Sequence, residues 1–331
     1  MSATTTESRG GLRSRLRSRG DYDFIGRSRT WLLVSLALVA VSLLGLAVRG
    51  LNFGLDFTGG TAIVVTGATS DFDSAEVREA LAAEGVQESV VQVSEGAEGR
   101  GALIRTSSLE EIGGGQQDAV LQTVASITGA PREAIDIDAV GPQWGVQITR
   151  QALEGLGAFL LLVVAYIALR FEWRMAVAAL VTLVHDVVVT IGIYALIGFE
   201  VTPASVIALL TILGYSLYDT VVVFDRVKEN ASRLTSVSTQ SYAGMANSAL
   251  NQVLLRSLST SLTSLLPVGS LLFIGANLLG ADTLQDLALA LFVGMGVGTY
   301  SSIFVATPIL VWLKEKEPRY AKLKERAASR R

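Results

Sequence analysis

Six apolar stretches of the sequence are each long enough to cross a lipid bilayer as a helix, and they constrain the fold more than any other feature. About 20 apolar residues suffice, because a helix rises by about 1.5 Å per residue and the hydrocarbon core is about 30 Å thick. Half of the 331 residues are hydrophobic and only 17% are charged, whereas soluble domains carry about 25% charged residues. The sequence therefore predicts a polytopic α-helical membrane protein. The six stretches are Trp31–Val48, Leu153–Leu169, Met175–Ile197, Pro203–Phe224, Leu254–Leu279 and Leu287–Leu313.

The stretches are grouped as one followed by five, and the grouping sets the predicted domains. Basic residues are concentrated in both tails and in the loops after the second and fourth stretches, whereas the long segment after the first stretch is acidic. Because basic loops stay in the cytoplasm, both termini are predicted to be cytoplasmic and the acidic segment to lie outside the cytoplasmic membrane. The predicted parts are a basic tail at 1–30, the first span at 31–49, an extracytoplasmic domain at 50–148, a five-helix membrane domain at 149–313 and a basic tail at 314–331.

The basic tails have a second interpretation. Clusters of arginine and lysine bind anionic lipid headgroups or ribosomal RNA. The role of the tails in setting the topology already explains their composition, so we expect contact with the lipid membrane and no nucleic-acid partner.

The segment between the first two spans has the pattern of a small α+β domain. Strands are predicted at Thr61–Thr66, Ser89–Ser94, Ala102–Thr106 and Glu133–Val140, and helices from Ser70 or Asp71 to Glu84 and from Ser108 to about Thr128. The order β-α-β-β-α-β is that of a ferredoxin-like domain. The predicted fold class is therefore six transmembrane helices with a ferredoxin-like extracytoplasmic domain between helices 1 and 2. This domain carries no catalytic constellation, which favours a binding or mechanical role.

An acidic residue, Asp219, lies within the fourth apolar stretch. A carboxylate in hydrocarbon costs roughly 2.5–3.5 kcal/mol on insertion scales, and helices that keep one commonly use it in an ion or proton path. Arg256, near the start of the fifth stretch, is expected at a similar depth on the adjacent helix, so the two side chains can pair. Protonation of Asp219 would break the pair, which makes it a minimal proton relay. A static structural pair, or an arginine that extends to the interface, fits the residues equally well.

Two further polar groups lie within the spans. His185 and Asp186 are near the middle of the third stretch, where an ionisable pair is a candidate for a proton path; the alternative is an interhelical hydrogen bond. Thr260 and Thr263 follow Arg256 at helical spacing and can carry water or protons. The commoner use of such hydroxyls is a hydrogen bond to a backbone carbonyl or a neighbouring helix.

The sequence Gly54-Leu-Asp-Phe-Thr-Gly-Gly60 directly follows the first span. Its glycines, Gly54, Gly59 and Gly60, permit a tight turn and a close backbone approach, and Asp56 can cap that turn. By itself the motif predicts a structural junction between the first helix and the outer domain.

Several classes of site are excluded or disfavoured by the residue types. The chain has no cysteine and a single histidine, which excludes thiolate and multi-histidine metal centres. It contains no Walker A loop, and Gly294-x-Gly296-x-Gly298 lies inside a span, where glycines favour close helix packing over nucleotide binding. We therefore expect no metal, no cofactor and no enzymatic activity.

Six motifs together resemble the SecF family, membrane subunits of the bacterial Sec protein-export machinery related to the RND superfamily. The resemblance covers about residues 24–313, and GLDFTGG is shared with the sister subunit SecD. The motifs are GLDFTGG at 54–60, VGPQWG at 140–145, HDVV at 185–188, GYSLYDTVVVFDRVKEN at 214–230, RSLSTSLTSLLP at 256–267 and YSSIFVATPIL at 300–310.

The resemblance implies partners and an energy source. SecD would supply six more helices in a pseudo-symmetric pair, the SecYEG channel and YajC would be further partners, and an unfolded precursor protein would be the cargo. The proton motive force would drive export. The aspartate and arginine that take part in proton movement in the family correspond to Asp219 and Arg256, and the second acid of the relay is expected from SecD.

Two other functions remain open at this point. An RND-like exporter of a small molecule or lipid would usually carry two six-helix repeats and two outer domains in one chain, and this chain carries one of each. A passive translocon scaffold would have no need of a buried acid.

Overall fold

The structure is a computed structural model that describes residues 22–86, 89–96, 99–106, 109, 114–234, 240–275 and 282–329. The first part contains α1 (Ser28–Arg49), β1 (Asn52–Phe53), α2 (Leu55–Thr58), β2 (Gly60–Ala68), α3 (Ser74–Ala83), β3 (Ser89–Gly96), β4 (Gly99–Thr106), α4 (Gly114–Thr128) and β5 (Ile135–Val140). The second part contains α5 (Pro142–Arg170), α6 (Trp173–Ile197), β6 (Glu200–Val201), α7 (Pro203–Ser232), α8 (Tyr242–Ser270), α9 (Asp282–Ser301), α10 (Thr307–Lys314) and α11 (Pro318–Ala328). Single π-helical turns follow α8 at Leu271–Gly275 and α9 at Ser302–Ala306.

Six helical segments of the described chain are long and apolar enough to cross a membrane, which confirms the predicted one-plus-five arrangement. They are α1, α5, α6, α7, α8 with its π turn, and α9 with its π turn and α10. The predicted end of the fifth span, residues 276–279, lies outside the described residues, as do Ser108, Gly113 and residues 1–21 of the N-terminal tail.

α8 begins at Tyr242, well before the predicted start at Leu254. Its first turns mix buried apolar residues with asparagines, so the apolar run alone does not mark where the helix begins. Asn247 accepts hydrogen bonds from the backbone amides of Phe24 and Ile25 at 2.8 and 3.2 Å. The polar extension of α8 therefore anchors the chain just before α1.

The domain between the first two spans, called the outer domain after its predicted location, is the predicted ferredoxin-like unit. Its four strands are ordered β3-β4-β2-β5, and all neighbouring pairs are antiparallel. One core joins the helices to the sheet through buried Val77 and Leu81 of α3, Val120 and Val124 of α4, and Ile63 of β2.

Several boundaries in this domain differ from the prediction. α3 begins at Ser74 rather than near Ser70, because the Asp73 carboxylate caps it by accepting from the amides of Ala75 and Glu76 at 2.8 Å each. The last strand begins at Ile135, since the preceding residues form a 3₁₀ turn. Pattern reasoning placed the elements but not the capping residue, because several polar residues compete for that role.

The predicted basic tail at 314–331 contains a helix, α11, that packs under the bundle. Tyr320 and Leu323 of α11 are buried, and the Tyr320 ring lies 4.6 Å from that of Tyr242. The buried Lys314, at the end of α10, forms ion pairs with Glu172 and Glu317. The pair with Glu172 joins α10 to the turn between α5 and α6.

Glycines let α9 pack closely against α7, as the sequence predicted. A Cβ atom built at Gly294 would lie 2.2 Å from Cδ1 of Ile212, and one at Gly298 would lie 3.0 Å from Cβ of Ser216. Gly296, between them, faces open space. Small residues at such contacts are the usual way for membrane helices to approach one another.

We expect Gly294→Ala to destabilise the membrane domain by roughly 1–3 kcal/mol, the usual cost of overpacking a tight contact. The cause is the clash with Ile212, which is itself buried and cannot move aside. Thermal unfolding in detergent measures the effect. Gly296→Ala is the matched control on the same helix and should be neutral or slightly stabilising; equal effects of the two substitutions would contradict the packing role.

Candidate functional site

Asp219 lies on α7 inside the bundle, with only 6% of its surface exposed. Ser257 of α8 donates a hydrogen bond to both carboxylate oxygens, with Oγ 2.8 Å from each. Ser302, in the π turn after α9, donates to Oδ2. Within the described part of the chain, no basic side chain forms an ion pair with this carboxylate. An ionised carboxylate that lacks a counter-charge is costly in a membrane interior, and the serine hydroxyls are the groups that stabilise this one.

Asp186 on α6 is a second buried carboxylate, with 1% of its surface exposed. Its Oδ2 accepts from Ser216 of α7 at 2.5 Å and from Ser301 of α9 at 2.9 Å. Its Oδ1 lies 3.0 Å from Nδ1 of His185. The other ring nitrogen of His185, Nε2, is buried and has no hydrogen-bond partner among the described residues. The structure thus brings together the two residues that the sequence singled out in this span.

The two carboxylates are held by one short segment of the bundle. Ser301 and Ser302 are consecutive, and they bind Asp186 and Asp219 respectively. The π turn that begins at Ser302 precedes Pro308, which lacks an amide hydrogen and so leaves a helical hydrogen bond unmade. Irregular backbone of this kind is common at functional sites.

The predicted pair between Asp219 and Arg256 is not formed. The Arg256 side chain is exposed on the outside of α8, while the next residue, Ser257, is buried against Asp219. Consecutive residues on a helix point about 100° apart, so only one of them can face α7. The similar depth of the two residues was a sound inference, but depth does not fix the rotation of a helix about its own axis.

Thr260 and Thr263 share the face of α8 that carries Arg256. Their hydroxyls donate to carbonyls of their own helix, Thr260 to Arg256 O at 2.8 Å and Thr263 to Ser259 O at 2.8 Å. They do not contact either carboxylate. Among the described residues, Thr260 and Thr263 therefore do not complete a polar path to the acids. Their hydroxyls instead bind backbone carbonyls, which is the common use of such groups in a membrane helix.

The predicted junction contains a small parallel sheet between the outer domain and the bundle. β1 pairs with β6, the loop that joins α6 to α7, and the Gly54 amide donates to the Val201 carbonyl at 2.9 Å. A Cβ at Gly54 would lie 2.9 Å from Glu200 Oε1. Gly59 and Gly60 both have positive φ, 70° and 132°, so the turn from α2 into β2 requires them.

An ion pair reinforces the junction. Arg105 of β4 and Glu200 of β6 are 2.8 Å apart, with 13% and 27% of the side-chain surface exposed. Arg49, at the end of α1, also donates to the Leu196 carbonyl of α6. The outer domain is thus attached to the loop between the two helices that carry Asp186 and Asp219.

Asp56 does not cap the turn as expected. It lies in the first turn of α2, whose N-cap is Gly54, and no side-chain capping bond forms there. Burial and, to a smaller extent, the negative charge of Asp138 raise the pKa of Asp56 above its ordinary value of 3.8. The carboxyl group is therefore a cost to the folded state once it is ionised.

We expect Asp56→Asn to stabilise the outer domain at neutral pH. The pKa of Asp56 is raised in the folded state, so the folded protein holds this proton more tightly than the unfolded chain does. The resulting gain in stability is complete below the ordinary pKa of 3.8 and is lost as the pH rises through the raised pKa of the folded state. The amide has no charge to lose, so the variant should match the wild type in acid and exceed it at neutral pH. Thermal unfolding of the two proteins over this range measures the difference, and a less stable variant at neutral pH would contradict the account.

Sequence reasoning assigned no role at a carboxylate to the four serines that hold the two acids, Ser216, Ser257, Ser301 and Ser302; Ser257 was recognised only as one of several hydroxyls next to Arg256. Serines are frequent in these spans, so their presence alone does not single out a site. The available signal was Ser301-Ser302 six residues before Pro308 in a span, since proline in a membrane helix marks irregular backbone.

Comparison with known protein families gives two matches. A family model described as protein export membrane protein SecD/SecF, C-terminal, matches residues 120–316. A second, described as the SecD/SecF GG motif, matches residues 44–69, which include Gly59 and Gly60.

Individual relatives match over most of the chain. The chain is 45% identical over 311 residues to the protein translocase subunit SecF of Streptomyces coelicolor, covering 94% of this chain and 81% of that protein. It is 44% identical to that of Mycobacterium leprae, covering 90% of this chain and 65% of that protein. A crystal structure of SecDF from Thermus thermophilus, a translocon-associated membrane protein, superposes with a TM-score of 0.77 at 34% identity, covering 90% of this chain. The chain spans 39% of that longer SecDF chain.

Proposed function

The chain belongs to the SecD/SecF family of protein export membrane proteins, and from this premise we propose that it is a SecF-type subunit of the Sec translocase. Together with SecD it uses the proton motive force to complete the translocation and release of precursor proteins. The observation that carries the proposal is Asp219, a carboxylate buried in a membrane-spanning helix and held by the hydroxyls of Ser257 and Ser302. Intramembrane acids of this kind mark proton paths.

The coupling residues have distinct roles in this proposal. Asp219 binds and releases the transported proton. Asp186 and His185 form a second titratable group beside it. Because Arg256 is exposed on α8, SecD is proposed to pack against the face that carries Arg256, Thr260 and Thr263 and to close the path there. The protein acts as a translocase subunit and catalyses no covalent reaction.

Movement at the carboxylates reaches the outer domain through the junction. α6 and α7 carry Asp186 and Asp219, and the loop between them forms β6. β6 pairs with β1, and Glu200 of β6 pairs with Arg105 of the outer domain. A shift of α6 against α7 would therefore tilt the outer domain, which would pull or hold an emerging precursor chain.

The location follows from the charge distribution. The protein spans the bacterial cytoplasmic membrane with both termini in the cytoplasm and residues 50–148 outside, because the basic residues cluster at the tails and at the loops after α5 and α7. SecD is the direct partner, since the solved SecDF chains are more than twice as long as the part that this chain covers. SecYEG, YajC, the precursor and the lipid membrane are further partners.

An exporter of a small apolar molecule or lipid is the second candidate, because one observation favours it. An apolar cavity of about 420 Å³ lies between α5, α6 and α7 near the junction, lined by Phe53, Phe57, Leu153 and Tyr194 among others. A passive scaffold is the third candidate, and the buried acids count against it.

The proposal is tested in membrane vesicles that contain SecD and SecYEG, with or without this chain. We expect release of a precursor into the outer compartment to depend on the proton gradient only when the chain is present. An uncoupler should remove that part of the release. Gradient-dependent release that is the same without the chain would support the scaffold, and gradient-dependent efflux of lipid without any effect on precursors would support the exporter.

A further inference from the structure

Asp186 and Asp219 are both held at the point where one helix becomes irregular. Ser301 donates to Oδ2 of Asp186 at 2.9 Å, and Ser302 donates to Oδ2 of Asp219. α9 is regular through Ser301, and the π turn begins at Ser302. A displacement of this single turn therefore changes the contacts of both carboxylates at once.

Each serine has a second acceptor on its own helix. Ser301 Oγ lies 3.1 Å from the Gly298 carbonyl, and Ser302 Oγ lies 3.2 Å from the Thr299 carbonyl. A hydroxyl binds an ionised carboxylate more strongly than it binds a neutral carbonyl. When the acid gains a proton this difference disappears, and the hydroxyl can turn to the carbonyl without being left unpaired. Each serine can thus respond to the protonation state of the acid that it faces.

The packing around the turn transmits small movements. Gly298 brings α9 within close contact of Ser216 on α7, where an added Cβ would lie 3.0 Å from the serine Cβ. Ser216 is also a ligand of Asp186, at 2.5 Å. Packed protein interiors have little free volume. A shift at Ser302 therefore also moves the hydroxyls of Ser301 and Ser216.

The other polar groups around the two acids are few within the described chain. His185 contacts Asp186 through Nδ1, and the His185 and Tyr300 ring centroids are 6.4 Å apart. Arg256 points away from both acids. No cation bridges the carboxylates in this part of the chain, so the serines are the groups that connect them.

We propose that the Ser301–Ser302 turn couples the protonation of Asp219 to that of Asp186, so that this chain by itself contains two interacting proton-binding groups. The inference rests on the proposed proton-coupled function and adds the second acid and the device that links the pair. When a proton binds, an O–H bond forms on the Asp219 carboxylate and Ser302 turns to the Thr299 carbonyl. Ser301 moves with it and loosens from Asp186. Release of the proton breaks the O–H bond and reverses both shifts.

Infrared absorption of protonated carboxyl groups tests the coupling in the full chain reconstituted in neutral lipid. The bands of Asp186 and Asp219 are assigned by their loss in Asp186→Asn and Asp219→Asn, which keep the side-chain shape. We expect the pH at which Asp186 is half protonated to shift by more than about one unit when Asp219 is replaced, the size at which two sites titrate as a coupled pair. The exposed carboxylate of Asp225 on the same helix is the control, and Asp225→Asn should leave the Asp186 band unchanged.

Serine variants then test the link itself. In Ser301→Ala with Ser302→Ala, the shift caused by Asp219→Asn should fall to less than half. Ser261→Ala, which removes a buried hydroxyl that contacts Thr299 rather than a carboxylate, should leave the shift intact. A full shift in the double alanine variant would overturn the role of the turn. The coupling itself would be overturned if the Asp186 band does not titrate, or if it titrates identically with and without Asp219. In either case gradient-dependent precursor release that still requires this chain would leave the proposed function standing.

Discussion

Asp219→Asn is expected to remove the gradient-dependent part of precursor release and to leave the complex with SecD intact. The amide has the shape of the carboxylate and can still accept hydrogen bonds from Ser257 and Ser302, which hold Asp219 in the wild type. It cannot gain or lose a proton at physiological pH. Assembly should therefore persist while coupling is lost, and release should fall to the level that an uncoupler produces in the wild type. Release with and without a proton gradient and co-purification with SecD are the two measurements.

The control for this experiment lies on the same helix. Asp225 is 41% exposed and pairs with Arg170 at the surface of the bundle, so Asp225→Asn should change release little, as removal of a surface ion pair usually does. Ordinary gradient-dependent release in Asp219→Asn, with the complex intact, would show that Asp219 is structural and would favour the scaffold. Loss of assembly in the same variant would mean that the carboxylate is needed for folding.

Gly60→Ala is expected to have the largest effect on the outer domain. Gly60 begins β2, one of the two central strands, with a φ of 132° that other residues rarely adopt, and an added Cβ would lie 2.4 Å from the Thr106 carbonyl oxygen of β4. A positive φ alone costs roughly 1–2 kcal/mol, and the contact with backbone must add to it. We expect a loss on the order of 2–4 kcal/mol, which lowers the melting temperature of a domain of this size by roughly 10–25 °C. Hydrogen exchange of the β2 and β4 amides in the full chain measures the loss.

Gly141→Ala is the matched control, because Gly141 directly follows Val140, which pairs with Gly60 in the sheet. Gly141 has a φ of −63° and faces open space, so alanine should be accepted with little change. If Gly60→Ala leaves the exchange of β2 and β4 unchanged, the junction is less constrained than the contact with Thr106 indicates. The route from the loop between α6 and α7 to the outer domain would then rest on Arg105 and Glu200.

Much of the architecture could be predicted because it depends on local composition. The six spans follow from runs of apolar residues: α5 and α6 end close to the predicted limits at Leu169 and Ile197, and α7 begins at the predicted Pro203. The ferredoxin-like domain follows from the alternation of strand and helix patterns, and the structure confirms this fold class. Prediction failed at the start of α3, where several polar residues had the same preference for the cap, and at the start of α8, where the helix continues ahead of the apolar run.

The sequence by itself determined that this chain crosses a membrane, that a ferredoxin-like domain lies between its first two spans and that Asp219, Asp186 and His185 lie within membrane-spanning helices. These conclusions depend on the cost of placing polar groups in hydrocarbon, which is a property of each residue in its own segment. Only the tertiary structure decided which groups meet these acids. The rotation of α8 presents Ser257 to Asp219 and turns Arg256 outward, and the π turn before Pro308 sets Ser301 and Ser302 against two carboxylates on two other helices. Helix rotation and axial register are set by the packing of all neighbours together, so no single segment of sequence contains them.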